Sequence, residues 1–181
     1  MTELDFIKDK ELRDTIENSI EYIYALFEQT SKGEQKQLYI DETYRVIILY
    51  VISAIEAILM YFYKVRKEKI ERIEYKFVSP LPKGYKHEDK SSLPVVIAVQ
   101  EKIEKKEYEI GLSDLIMLFK AKKLIQEKTA EDILDLNNIR NTFHLSKPRT
   151  KDCDLKKVEL ALNILVHTIK RAPHALKIDE F

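Results

Sequence analysis

Apolar residues recur at helical spacing through most of the chain and alternate in one stretch near its middle. Over residues 3–30, Leu12, Ile16, Ile20, Ile23 and Phe27 stand four, four, three and four positions apart, which lines them along one helix face. Thr30-Ser31-Lys32-Gly33 then predicts a helix end and a loop. A second helix, with Asp41 as its N-cap, is expected to run to about Lys69. Residues 70–110 change period. Ile73, Tyr75 and Phe77 alternate with Glu74, Lys76 and Val78, which predicts a strand. Ser79-Pro80-Leu81-Pro82-Lys83-Gly84 breaks it, the β-branched run at 95–99 predicts a return strand, and Glu107-Tyr108-Glu109-Ile110 extends that strand or forms another. Helical spacing resumes near Ser113, with Leu112, Leu115, Ile116, Phe119 and Ile125 on one face. Thr129 and Asp132 form a capping signature for a helix over about 130–145. Leu155, Val158, Leu162, Leu165 and Ile169 mark a last helix over about 153–171, ended by Pro173.

These elements predict a mainly α fold, an up-and-down helical bundle of four to five long helices. A small antiparallel β-hairpin is inserted at about 70–110. About 40 residues with so little apolar content are too few to make a second core, so residues 1–181 are expected to form a single domain.

The second helix raises the question of a membrane. Residues 46–63 are almost wholly apolar, with only Ser53 and Glu56 polar in side chain, and their number approaches the ~20 that a span requires. Glu56 stands mid-segment, where an acidic side chain costs roughly 2.5–3.5 kcal/mol to insert. Arg45, Ser53, Glu56 and Tyr63 gather in one narrow seam of the helical wheel, which predicts a central helix buried on several sides. The expectation is a core helix, no membrane span and a cytoplasmic protein.

Composition narrows the function classes. With 31 basic and 31 acidic residues the formal net charge is zero, so nothing draws the whole molecule to a polyanion and any such contact needs a local basic patch. The single cysteine, Cys153, excludes an intrachain disulfide and a multi-cysteine zinc site. His87, His167 and His174 have no partners at metal-ligand spacing, and no glycine-rich phosphate loop is present. No metal and no cofactor are expected.

One segment groups side chains suited to chemistry, Asp135-Leu136-Asn137-Asn138-Ile139-Arg140-Asn141-Thr142-Phe143-His144. With Arg140 at zero on a helical wheel, His144 falls at about 40°, Asn137 at about 60° and Asn141 at about 100°. Arg140 and His144 are neighbours if the helix continues that far. A permanently charged donor fork binds phosphate oxygens, an imidazole moves protons near neutrality, and amides hydrogen-bond a base or a ribose. An interhelical cluster that pins a bundle uses the same residue types. Glu56 is expected to pair with Arg140 or Arg45.

The order of elements adds context. A long helix precedes the apolar helix carrying Ser53-Ala54-Ile55-Glu56-Ala57-Ile58. Leu115-Ile116 begins a third, and Leu136–His144 comes at a helix end before the last long helix. This arrangement resembles the HEPN superfamily of small helical-bundle domains, whose signature is an Arg, usually followed by a polar residue, and then a His after four to six intervening positions. Here Arg140-Asn141 matches, but only Asn141, Thr142 and Phe143 separate Arg140 from His144, one fewer than usual. The resemblance implies an RNA-binding domain or metal-independent endoribonuclease of a toxin–antitoxin or defence system. It implies a homodimer with RNA, an antitoxin or a nucleotidyltransferase-like protein as partner. Arg140 would stabilise the phosphate in the transition state, His144 would transfer protons, and Asn141 and Asn137 would support them. Glu56 would hold Arg140, and Lys147, Arg149 and Lys151 would bind phosphates. The other reading is a non-catalytic HEPN-like interaction domain with a degenerate site.

Overall fold

The computed structural model describes residues 3–30, 35–80, 86–87, 90–94, 96–142 and 152–176. The chain divides into two compact units, residues 1–68 with 111–181, and residues 69–110.

Among its described residues the first unit is a bundle of five helices, α1 Lys10–Thr30, α2 Gln37–Val65, α3 Leu112–Ala121, α4 Glu127–Asn141 and α5 Leu155–Leu176. Its centre is α2, which packs against each of the other four. Ile47, Ile48, Val51, Ile52, Ile55 and Ile58 of α2 are essentially inaccessible to solvent, and burial of each such side chain contributes about 1.5–3 kcal/mol. They meet Ile16 and Ile23 of α1, Leu115 and Phe119 of α3, Ile133 and Ile139 of α4, and Val158 and Ile169 of α5 in one apolar core. Among the described residues no polar or charged side chain is buried. Long apolar α2 satisfies the length and composition of a membrane span, but 56% of its apolar window lies inside the bundle. A core helix wrapped on several sides meets the same criteria, and no span is clearly indicated.

Helix ends depart from the sequence pattern for local reasons. The first helix starts at Lys10 rather than near residue 3, because Asp9 caps it: its carboxylate accepts from the Leu12 N–H at 3.1 Å. Leu4 and Ile7 then enter the core from a non-helical lead. The Tyr61 hydroxyl fixes that lead, accepting from the Lys8 N–H at 3.0 Å and donating to the Phe6 carbonyl at 3.1 Å. Asp41 is not an N-cap. The helix begins at Gln37, one turn earlier, and Asp41 accepts from the Gln37 side chain inside it. Lys67, with φ 50°, turns the chain out of α2 at Val65, short of Lys69. Helix α3 ends at Ala121, so Ile125 belongs to the connection and not to its face. Helix α4 begins at Glu127, leaving Thr129 inside the helix and Asp132 paired with Lys128 at 2.9 Å. It ends at Asn141 rather than 145. Pro173 does not end α5. It removes one amide donor, and the helix continues to Leu176.

The second unit is built on a hairpin. Strand β1 Glu71–Pro80 pairs antiparallel with β4 Val96–Glu104. A smaller antiparallel pair, β2 Lys86–His87 with β3 Lys90–Pro94, lies between them in sequence. The register sets Ile73 opposite Lys102, Tyr75 opposite Gln100 and Phe77 opposite Ala98, with a bulge between Phe77 and Ser79. Cross-strand pairs Lys76–Glu101 and Lys102–Glu71 are 3.5 and 3.9 Å apart. Residues 107–109 do not extend a strand. They form a 3-10 turn that Glu109 closes by accepting from the Lys106 N–H and pairing with Arg72.

Candidate functional site

Helix α4 presents Ile133, Leu136 and Ile139 to the core. That phase is set by the three-and-three spacing of its apolar residues, and it leaves the neighbouring positions Asn137 and Arg140 at the boundary with solvent, half-buried. Helix α2, packed against α4, carries Glu56 within its apolar run. A carboxylate there is costly unless a cation reaches it. Arg140 does so: its Nη1 donates to Glu56 Oε2 at 2.6 Å. The two side chains keep 28% and 26% of their exposure, so the pair stands at a rim of the bundle.

Of the residues singled out from sequence, Glu56, Asn137, Arg140 and Asn141 occupy this region of the α2–α4 contact or the end of α4. Asn141 is the last helical residue and is exposed. Thr142 caps the helix, its N–H donating to the Ile139 carbonyl at 3.0 Å. His144, Lys147, Arg149 and Lys151 lie outside the described residues. Of the two partners expected for Glu56, Arg140 is the one whose ion pair is observed.

Arg45 stands elsewhere on α2, lining a cleft with Asp41, Asp152, Cys153 and Asp154 at the start of α5. Cys153 is buried there. Burial pushes its thiol up to about 11, against the opposing field of Arg45, which keeps the sulfur protonated and unreactive. Among the described residues, no three His, Cys, Asp or Glu side chains cluster as metal ligands do.

A second grouping escaped the sequence pattern. His167 and Arg171, four apart on α5, line one cavity with Arg66, which follows the last residue of α2. The signal was available, since this is an imidazole–guanidinium pair on consecutive turns of an uninterrupted helix. An Arg-before-His motif passes over it because the order is reversed.

No family model, curated protein or solved structure matches the chain.

Proposed function

We propose that this protein is a HEPN-like helical domain that binds RNA, and that Arg140 and His144 make it a metal-independent endoribonuclease working as a cytoplasmic homodimer. The observation that supports this is the Arg140–Glu56 pair. Glu56 takes one edge of the guanidinium at 2.6 Å while the side chain stays 28% exposed. A guanidinium held by a carboxylate, on a side chain that solvent still reaches, can offer its remaining donors to a phosphate oxygen. In the proposed reaction His144 removes the proton of the ribose 2′-hydroxyl or supplies one to the leaving 5′-oxygen. Arg140 stabilises the charge gathering on the phosphorus-bound oxygens. Asn141 and Asn137 orient the RNA, Glu56 positions Arg140, and Lys147, Arg149 and Lys151 hold flanking phosphates. An antitoxin or nucleotidyltransferase-like protein would restrain the activity.

The same ion pair favours a second reading. A guanidinium neutralised by a carboxylate at 2.6 Å also serves as a clamp between two helices, as in a HEPN-like interaction domain without turnover. Cleavage of a mixed-sequence RNA in EDTA separates the two. The nuclease reading expects cleavage by the wild type in EDTA and a loss of about 100-fold or more in Arg140→Ala and His144→Ala. Cleavage unchanged in both variants removes the assignment, and an inert wild type leaves the interaction domain.

A further inference from the structure

The cavity beside α5 lies wholly within the helical unit, between α2, the α3–α4 connection, α4 and α5, and encloses about 100 Å³. Its apolar wall is made by Ile55, Leu59, Phe62, Phe119, Ile133 and Ala172. These are core residues, each 6% exposed or less. For scale, a dry cavity of about 150 Å³ lined by Leu, Ile and Phe holds benzene, so this one has room for roughly four carbons.

The polar part of the lining is chemically one-sided. Arg66, His167 and Arg171 contribute to it, with Thr168, Thr129 and Gln126 as uncharged hydrogen-bonding groups. Among the described residues no carboxylate lines the cavity. Arg66 Nε donates to Glu68 at 3.2 Å, and the same carboxylate accepts from Lys122 Nζ at 2.6 Å. Glu68 stands outside the lining, to which Arg171 adds a full positive charge. A part-open apolar pocket with a few convergent polar groups at its mouth has the form of a small-molecule site, and the sign of those groups selects the head of the ligand.

We propose that this cavity binds a small amphipathic carboxylate, its short hydrocarbon body between α2 and α4 and its head group at Arg171 and His167. The two side chains are four apart on α5 and so stand on successive turns of one face. This site is distinct from the Arg140–Glu56 pair and does not depend on the reading given to that pair.

The test is a titration of the full chain with straight-chain carboxylates of four, six and eight carbons, followed by calorimetry, with hexanol and hexylamine as head-group controls. Affinity is expected to rise about three- to fourfold for each added methylene until the cavity fills, and then to level off. Hexylamine should bind at least tenfold more weakly than hexanoate, with hexanol between them. Arg171→Ala should weaken hexanoate by about tenfold and leave hexanol unchanged. Arg171 is exposed, so that variant keeps the core intact. Ala172→Leu, which fills the cavity, should abolish binding of all three. The wild-type head-group comparison stands alone should that overpacked variant fail to fold. Absence of hexanoate binding, equal affinity for the three head groups, or an Arg171→Ala variant that binds hexanoate as the wild type does would each overturn the proposal.

Discussion

Arg140 and Glu56, 84 positions apart in the chain, meet at 2.6 Å and tie the end of α4 to the middle of α2. Their partial exposure places the pair between two regimes. Exposed ion pairs contribute about 0–1 kcal/mol, and breaking a fully buried one costs about 3–5 kcal/mol. A double-mutant cycle with Glu56→Gln and Arg140→Met, read by urea denaturation, is expected to give a coupling of about 1–2 kcal/mol. Glu56→Gln should be the milder single change, because Arg140→Met leaves a carboxylate unpaired inside the apolar run of α2, whereas Arg140, near the end of α4, can extend its long side chain to water. A coupling below about 0.3 kcal/mol would show that the contact does not hold the helices.

Cys153 offers a direct probe of the α5 start. Its thiol is pushed up to about 11 by burial, from an ordinary value near 9. At pH 8 that lowers the thiolate fraction by about a hundredfold. Reaction with a disulfide reagent at pH 8 is expected to be at least that much slower in the native protein than in urea, and to follow the unfolding curve. Rapid stoichiometric labelling of native protein would contradict the burial of this residue.

How far such features could be read beforehand depends on the distance over which each is decided. The helices were legible because an apolar stripe such as Leu12, Ile16, Ile20, Ile23 and Phe27 has a single period that only a helix satisfies. The pairing of Glu56 was legible too, because a carboxylate inside an apolar run must find a cation. Helix ends were not, since a cap is a contest among neighbouring side chains. Asp9 won its contest, whereas Asp41 and Thr129 were overtaken by helices that began earlier without a side-chain cap. The cavity was beyond reach for a different reason. It is the space left when α2, α4 and α5 pack, and no single segment encodes it.

Glu68 links pH to stability. Burial alone would raise its carboxyl, but hydrogen bonds from Lys122 and Arg66 outweigh that and hold it below the ordinary carboxylate range. A depressed native value means that the unfolded chain takes up the proton first. The stabilisation is therefore complete above the unfolded value near ~4.3 and is lost as pH falls through the native one. Glu68→Gln is expected to be less stable than the wild type at pH 7 by about 1 kcal/mol. The gap should narrow as the pH falls below the unfolded value, measured by urea midpoints at pH 7, 5, 4 and 3. A gap that stays constant with pH would rule out the ion pair as its source.

The hairpin unit can be removed on geometric grounds. At its base the Lys105 N–H donates to the Ile70 carbonyl at 2.8 Å, and Glu71 pairs with Glu104, so the chain enters and leaves at neighbouring points. Replacing residues 71–104 by two glycines spans that gap without stretching the backbone, and shortening a connection lowers its closure entropy cost. The described side chains of β1 at Ile73, Tyr75 and Phe77 are more than half exposed, so their loss takes little apolar burial from the protein. A two-stranded hairpin is itself marginal in water, and its absence should leave the bundle's own core as the source of cooperativity. The shortened protein is expected to keep a helical circular-dichroism spectrum and a single cooperative melt within a few degrees of the full chain. A broad, non-cooperative melt would mean that residues 69–110 are needed to complete the helical core.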